Sequence, residues 1–157
     1  EAILLNPTNA TAYNNRGLTY FGERAYDKAI ADYTDAIRLN PNDATAYCNR
    51  GLACKESNGD IDRAIADYNE AIRLNPKDAV AYVNRGYSWR QKNDLDRAIA
   101  DYNKAIELDP QDTERSQRGL ATLYDNRGGA YAELDRYEEA LADYATRVRR
   151  FGGLVTR

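Results

Sequence analysis

The sequence predicts an all-α fold of about four stacked antiparallel helix pairs, an architecture called a helical solenoid. Three observations predict it. Pro follows Asn or Asp at positions 7, 41, 76 and 110, with spacings of 34, 35 and 34 residues. Two sequence blocks recur after these Pro residues, one ending in Asn-Arg-Gly and one reading Ala-Ile-Ala-Asp-Tyr or a close variant. The chain is rich in Ala, Leu, Ile and Tyr but has only four Pro among 157 residues, as helical chains do.

Each repeat is predicted to hold two helices. A polar side chain two residues after each Pro can cap the first helix by accepting from its unpaired amides. These capping residues are Asn9, Asp43, Asp78 and Asp112. Asp60 and Asp94 are placed to cap the second helix of units two and three, whereas units one and four have Ala25 and Arg136 there. The next Pro ends each second helix, because it lacks an amide hydrogen and its ring blocks the helical path.

Small residues at fixed positions explain how the two helices of a pair touch. Gly in the first helix and Ala in the second let the backbones approach, and Tyr side chains fill the flanks. The Gly residues, here called the framework Gly residues, are Gly17, Gly51, Gly86 and Gly128, and the Ala residues are Ala29, Ala64, Ala98 and Ala140. One such pair cannot bury its apolar faces alone, so neighbouring pairs must stack.

This unit resembles the tetratricopeptide repeat, in the bacterial form with Asn-Arg-Gly and Ala-Asp-Tyr blocks, and the resemblance covers nearly the whole chain. It implies a right-handed superhelix whose first helices line a concave groove. The predicted repeats are residues 7–40, 41–75, 76–109 and 110–151, with the end of an earlier helix at 1–6 and a tail at 152–157. The extra residue of the second unit lies in the turn from Ser57 to Asp60 and leaves the framework intact, unlike that of the RNA-binding pentatricopeptide relatives.

The fourth repeat departs most from the pattern. Gly128 follows Pro110 by 18 residues, whereas the corresponding distance is 10 residues in the other units. The eight extra residues, about two helical turns, predict a first helix lengthened at its N-terminal end, unless Gly119 breaks it. The last helix carries Arg147 and Arg150 where the other units have small or apolar residues, which predicts a polar, solvated end of the stack.

A recurring pair of charges also departs from the family pattern. Arg stands directly before each framework Gly, where the family usually has an aliphatic residue, and Asp stands directly before the Tyr of each second helix. The residues are Arg16, Arg50, Arg85 and Arg127, and Asp32, Asp67, Asp101 and Asp143. Because the two charges recur together, we predict that each Arg lies along its hairpin and binds an Asp within or between repeats, in preference to a ligand.

The candidate peptide-binding site lies on the first helices. The Asn before each Arg-Gly step is predicted to form one rung of a ladder, because an Asn amide can bond both the C=O and the N–H of a peptide. The rungs are Asn15, Asn49, Asn84 and Asn126, which resemble the Asn ladders of armadillo arrays. Predicted beside them, on the same face, are an apolar docking strip and one cation: Leu18, Phe21, Leu52, Val83, Tyr87 and Arg90. The alternatives are Asn side chains that bond between repeats or to solvent, and a strip covered by its neighbours.

The family's clamp for the C-terminal carboxylate of heat-shock chaperones is not expected here. Its Lys, Asn, Asn, Lys and Arg positions hold Asn14, Leu18, Asn49, Val80 and Asn84, so the cations are missing. Two Cys residues six positions apart on one helix are too distant for a disulfide, so both are predicted to be free. Cys48 is predicted to face the groove, and Cys54 and Trp89 to lie in the core.

Charge, composition and motif content argue against nucleic-acid binding, catalysis, metal or cofactor binding, and a membrane span. With 22 basic and 25 acidic residues the net charge is −3, which gives no field that attracts nucleic acid. The sequence has no His, and no metal-ligand spacing, phosphate-binding loop or nucleophile–base set, so we expect no catalysis, metal or cofactor. No apolar run approaches the roughly 18 residues of a membrane span. Free thiols favour a reducing compartment such as the cytoplasm.

We therefore predict a scaffold for protein–protein interaction that holds a peptide or a partner protein in the groove. Two alternatives stay open from the sequence. The chain can be the substrate-docking or regulatory region of a larger enzyme, such as a glycosyltransferase, whose catalytic residues lie elsewhere. It can also be a self-assembling scaffold, a homo-oligomer joined through its open repeat ends.

Overall fold

The computed structural model describes residues 7–108 and 114–151, which form eight α-helices and no strand. The helices are α1 (Ala10–Gly22), α2 (Tyr26–Leu39), α3 (Ala44–Asn58), α4 (Ile61–Leu74), α5 (Ala79–Gln91), α6 (Leu95–Leu108), α7 (Glu114–Glu133) and α8 (Tyr137–Phe151). They pair in order into hairpins, α1 with α2, α3 with α4, α5 with α6 and α7 with α8. The predicted all-α fold of paired helices is confirmed.

The chain divides into two compact units, residues 1–77 and 78–157, and each holds two hairpins. In the first unit, α3 packs along α2 and covers its apolar face. One cluster joins Ala29 and Tyr33 of α2 to Ala53 of α3, and a second joins Ala36 and Ile37 to Ala46. The first helix of one hairpin therefore closes the core of the hairpin before it.

The second unit is built in the same way, with α7 packed along α6. One cluster comprises Ala98, Tyr102 and Ala105 of α6 with Ala121, Leu123 and Tyr124 of α7. A second cluster comprises Leu95 and Ile99 of α6 with Ala130 of α7. Stacking of hairpins, rather than each hairpin alone, thus supplies the core of both units.

The predicted helix caps are present wherever their residues are described. Asn9, Asp43 and Asp78 accept backbone N–H bonds at the start of the first helices, and Asp60 and Asp94 do so for second helices. Ala25 makes no side-chain cap, also as predicted. Asp112 lies outside the described residues. The extra residue of the second repeat places Gly59 at the end of α3 with a φ of 69°, a left-handed conformation that glycine adopts without strain.

Three of the framework Gly residues lie so close to the second helix that a side chain would collide with it. A Cβ atom on Gly17 would lie 2.6 Å from Tyr33, one on Gly51 would lie 2.9 Å from Tyr68, and one on Gly86 would lie 2.9 Å from Tyr102. These three Tyr side chains are at most 1% exposed. The fourth hairpin is looser, because a Cβ on Gly128 would meet its nearest neighbour at 3.5 Å.

The first helix of the fourth hairpin is longer than its counterparts. It has 20 residues, against 13 to 15 in α1, α3 and α5. The framework Gly is the eighth residue of α1, α3 and α5 but the fifteenth of α7, so the extra length lies on the N-terminal side. Gly119 lies inside this helix and does not break it. The boundaries of the four repeats themselves stay predictions.

The expectation of a polar last helix is wrong for one face of α8. Four large apolar side chains, Tyr137, Leu141, Tyr144 and Val148, are between 42% and 66% exposed. Arg147 has a structural partner instead of a solvating role, because its Nε lies 3.0 Å from a carboxylate oxygen of Asp125 on α7. The four apolar residues have the same spacing as Tyr26, Ile30, Tyr33 and Ile37 on α2, of which Tyr33 and Ile37 are buried.

The buried Tyr residues make stability sensitive to alkaline pH. Burial raises the pKa of Tyr102 from 10.0 to about 12. Between these values the unfolded chain has lost a proton that the folded chain keeps, so the free energy of unfolding falls as pH rises. Tyr102→Phe is expected to reduce the loss between pH 9 and pH 11, measured by urea unfolding, by about 1 kcal/mol. A Tyr102→Phe variant that loses as much stability as the wild type over this pH range would contradict the prediction.

Candidate functional site

The predicted pairs of Arg and Asp are confirmed in all four hairpins. In each, the Arg Nε donates to one carboxylate oxygen at 2.6 to 2.9 Å and an Nη donates to the other. The pairs are Arg16–Asp32, Arg50–Asp67, Arg85–Asp101 and Arg127–Asp143. Every pair joins the first and second helix of one hairpin, so the pairing within repeats is the one that occurs. Such two-point contacts fix the orientation of both side chains in addition to pairing their charges.

Each of these Arg residues is held by more than its Asp. The guanidinium carbon lies 5.3 to 5.6 Å from the ring centre of the Tyr three residues earlier. Arg50 also donates to the Thr34 hydroxyl at 3.3 Å, and Arg127 donates to the Asn103 carbonyl, both on the second helix of the preceding hairpin. The hydrogen bond to Asp67 raises the pKa of Arg50. These Arg residues are therefore structural ties within and between hairpins.

The four Asn residues of the predicted ladder differ in environment. Asn15 is exposed, whereas Asn49, Asn84 and Asn126 are half-buried. The Asn49 Nδ2 donates to the Asn14 Oδ1 at 3.1 Å, and this bond links α3 directly to α1. Asn14 is only 8% exposed, and no motif pairs it with a residue 35 positions away. At least this rung thus has a structural bond between neighbouring first helices.

The predicted apolar strip separates into exposed and packed members. Leu18 and Tyr87 are 47% and 39% exposed, and Leu52 is half-buried. Phe21 and Val83 instead pack against core clusters, which favours the alternative of a covered strip at these two positions. Phe21 ends its helix beside the turn, and its ring therefore meets Tyr26 edge-on at a centroid distance of 5.3 Å. Val80, which precedes Val83 by one helical turn, is more exposed than any of them, at 61%.

Arg90 is tied to a neighbouring helix. It donates through its Nε to a Glu133 carboxylate oxygen at 2.9 Å, which links α5 to α7. Gly129 makes room for it, because a Cβ there would lie 3.2 Å from the guanidinium. Gly129 occupies the position directly after the framework Gly, where the other units have Leu18, Leu52 and Tyr87. The doubled Gly at 128 and 129 was the sequence signal for this contact, and sequence reasoning missed it.

A polar cavity of about 320 Å³ opens beside this ion pair. Tyr87, Arg90, Gln91 and Glu133 line it. The hydroxyl of Tyr102 is buried and has no hydrogen-bond partner among the described residues. The cavity combines one aromatic face, a guanidinium and a carboxylate, a set that can contact an apolar side chain together with a polar group of a peptide.

The remaining predicted positions lie mostly in the core. Cys54 is 1% exposed, as predicted, and Trp89 is half-buried against the cluster around Tyr102. Cys48 is 7% exposed, so its thiol is not accessible to solvent. Neither Cys48 nor Cys54 forms a disulfide.

Residues 7–108 and 114–151, which the structure describes, have neither a candidate metal site nor a candidate membrane span. They contain no group of three or more His, Cys, Asp or Glu side chains placed to hold a metal ion. None of their helices combines the length and the apolar composition that crossing a bilayer requires.

Known structures share this architecture. The crystal structure of a MamA protein is 24% identical, with a TM-score of 0.82, and the match covers 96% of this chain and 77% of that one. The OM64 repeat domain from Arabidopsis is 29% identical, with a TM-score of 0.64 and coverage of 73% and 93%. The first repeat domain of Spaghetti (RPAP3), bound to the HSP90 peptide SRMEEVD, is 28% identical, with a TM-score of 0.64 and coverage of 73% and 89%.

Sequence comparison gives the family. A search of curated proteins finds no match. Models of the tetratricopeptide repeat match residues 10–43, 32–66, 55–113 and 121–146. Together with the helix pairs and the close Gly contacts, these matches show that the chain belongs to the tetratricopeptide repeat family.

Proposed function

We propose that this chain is a scaffold for protein–protein interaction that binds an extended or helical segment of a partner along its first helices. The observation that carries the proposal is the exposure of large apolar side chains, Leu18, Val80 and Tyr87, on helices whose packing does not require them. Exposed apolar groups on a folded surface are typical of interaction sites. The proposed role is binding, with no chemical step assigned to the chain.

Apolar contact and hydrogen bonding are the proposed sources of affinity. In the first unit the proposed peptide-binding surface comprises Leu18 and Leu52, with Asn15 and Asn49 beside them. An Asn amide has two N–H donors and one carbonyl acceptor, and the bond from Asn49 to Asn14 uses one of those donors. In the second unit the surface comprises Val80 and Tyr87 with Asn84, Asn126 and the cavity at Arg90. We propose that each Asn bonds the backbone of the bound segment.

The proposed ligand differs from the peptide bound by the Spaghetti (RPAP3) domain. That peptide, SRMEEVD, is acidic and ends in a carboxylate. The three cations that bind such an end in this family are replaced here by Asn14, Val80 and Asn84, and Asn14 bonds Asn49. Arg90, a remaining cation on the surface of the second unit, is neutralised by Glu133. We therefore propose a preference for segments with apolar side chains and little net charge.

A selection experiment tests this proposal. Random twelve-residue peptides displayed on phage are selected on the intact chain, and the affinity of a selected peptide is measured by fluorescence anisotropy. Tyr87→Ala and Val80→Asp are each expected to weaken binding by about tenfold, because they remove or charge the apolar surface. Asn84→Ala is expected to weaken it by about fivefold through one lost hydrogen bond.

Ala100→Asp provides the matched control, because Ala100 is exposed on the second helix α6 and the substitution adds the same charge as Val80→Asp. It should leave affinity unchanged. Circular dichroism confirms that each variant keeps its helices. If Ala100→Asp weakens binding as much as Val80→Asp, or if Tyr87→Ala binds like the wild type, the first helices are not the binding surface.

A further inference from the structure

The cavity beside Arg90 contains an ion pair whose hydrogen-bonding capacity is only partly used. Arg90 donates through both Nε and Nη2 to the same carboxylate oxygen of Glu133, Oε1. Among residues 7–108 and 114–151, neither the Arg90 Nη1 nor the Glu133 Oε2 has a hydrogen-bond partner, and the Gln91 amide has none. These three residues line one cavity, which therefore offers both donors and acceptors. The ion pair itself adds no net charge.

The hydroxyl of Tyr102, a further polar group near this cavity, is buried without a hydrogen-bond partner within the part of the chain that the structure describes. The Tyr102 ring lies against Gly86, one helical turn before Arg90, since a Cβ on Gly86 would lie 2.9 Å from its Cε1. Burial has the largest effect on the pKa of Tyr102 and raises it, and Arg90 lowers it. Tyr87 and Glu133 raise it further, so three of the four residues that line the cavity act on this hydroxyl. Because buried hydroxyls are normally paired, its position favours a ligand with a polar group.

Two residues of the cavity differ in chemistry from those at the equivalent positions of the first unit. Counted from the framework Gly residues, Arg90 on α5 corresponds to Phe21 on α1, and Gly129 on α7 corresponds to Leu52 on α3. Phe21 packs against a core cluster, whereas Arg90 reaches across to α7. Gly129 leaves room for this, because a Cβ there would lie 3.2 Å from the Arg90 Nη2. The polar cavity is thus particular to α5 and α7 and does not follow from the repeat pattern.

We propose that this cavity binds the side-chain carboxamide of an Asn or Gln in the bound segment, an inference that rests on the proposed function for the source of that side chain. The carboxamide oxygen accepts from the Arg90 Nη1, its NH₂ donates to the Glu133 Oε2, and its plane lies against the Tyr87 ring. A neutral group that both donates and accepts satisfies both partners at once.

Other side chains fit this ion pair less well. A carboxylate cannot donate to Glu133 and brings a second negative charge beside it, and an ammonium group cannot accept from Arg90 and brings a second positive charge. An alkyl side chain displaces water from both charged groups without replacing its hydrogen bonds. The cavity should therefore distinguish a carboxamide from its charged and apolar analogues of the same size.

The test measures the binding of three capped amino acids to the intact chain. The probe is N-acetyl-glutamine methylamide, and the controls are the methylamides of N-acetyl-glutamate and N-acetyl-norleucine, which share its backbone and its approximate length. Nuclear magnetic resonance follows the Arg90 Nε–H and the Gln91 side-chain amide during each titration into the millimolar range. The glutamine probe is expected to bind about tenfold more tightly than either control, through two added hydrogen bonds.

A double substitution shows whether the ion pair recognises the carboxamide. Arg90→Met with Glu133→Leu removes both charges together, so no unpaired charge remains. The two side chains are 32% and 41% exposed, and circular dichroism checks that the fold is kept. In this variant the three capped amino acids should bind equally weakly. Arg73→Met with Glu70→Leu, which removes an exposed ion pair of the same residue types on α4, should leave the preference for glutamine unchanged.

The outcomes separate the carboxamide site from the proposed function. Peptides selected on the intact chain should contain Asn or Gln at one position, and Glu in its place should weaken binding by about tenfold. A capped glutamine that binds no better than the capped glutamate overturns the carboxamide site, and so does a preference for glutamine that persists in the variant with Arg90→Met and Glu133→Leu. The proposed function would still stand in that case if Val80→Asp weakens peptide binding. If the capped glutamine binds as expected but Val80→Asp leaves peptide binding unchanged, the carboxamide site stands and the proposed function fails.

Discussion

Asp67→Ala is expected to destabilise the chain by about 3 kcal/mol, because it leaves the guanidinium of Arg50 without its partner in a mostly buried site. The Asp67 side chain is 6% exposed and that of Arg50 is 16% exposed, so water replaces the lost carboxylate poorly. The free energy of unfolding is measured by urea titration followed by circular dichroism. The loss should appear as a lower midpoint with little change in slope.

The same substitution in the first hairpin is the control. Asp32→Ala breaks an identical two-point contact, but the Arg16 side chain is 44% exposed and can be solvated after the change. We expect a loss of about 1 kcal/mol there. Replacing both charges together, with Arg50→Met and Asp67→Leu, should recover much of the stability lost in Asp67→Ala. If Asp67→Ala and Asp32→Ala lower the free energy of unfolding equally, burial of the Arg does not determine the size of the destabilisation.

Gly51→Ala is expected to destabilise the chain by about 2 kcal/mol, although Ala favours helices more than Gly does. The new Cβ would lie 2.9 Å from Tyr68, 3.1 Å from the carbonyl oxygen of Ala64 and 3.2 Å from the Cβ of Asp67. Two of these neighbours belong to the framework of α4 and cannot move without separating the hairpin, so overpacking outweighs the gain in helix propensity. Urea unfolding of the intact chain measures the difference.

Gly128→Ala is the matched substitution in the fourth hairpin. There the nearest atoms would lie 3.5 and 3.6 Å from the new Cβ, which is ordinary van der Waals contact. The helix-propensity gain of up to about 1 kcal/mol should then appear as stabilisation. Gly51→Ala is therefore expected to lower the free energy of unfolding, and Gly128→Ala, at the equivalent position of the fourth repeat, is expected to raise it. Destabilisation of similar size at both positions would show that the fourth hairpin is as tightly packed as the second.

Features fixed by residues within one hairpin were predictable from the sequence. The caps at Asp43 and Asp60 depend on a few neighbouring residues, and the structure has both. The pair Arg50–Asp67 spans 17 residues but recurs in every unit, and this recurrence revealed it. Because local geometry alone brings these groups together, knowledge of how hairpins stack was unnecessary.

Features that depend on the neighbouring hairpin were not predictable in the same way. The bond from Asn49 to Asn14 spans 35 residues and joins two repeats. The exposure of a side chain on a first helix depends on the angle at which the neighbouring hairpin packs, which is why the packing of Phe21 and Val83 against core clusters was not predicted. Residue type alone does not determine that angle, since several packing angles bury the same apolar pattern.

The location of the Asp partner has a consequence for how an array of this kind changes during evolution. Each Arg finds its Asp 16 or 17 residues later, inside its own repeat. A tandem duplication of one repeat therefore inserts both charges at once, and a recombination that deletes a repeat removes both at once. Neither event leaves a single charge buried without a partner, which would be costly. These four pairs therefore impose no electrostatic penalty on the gain or loss of a whole repeat.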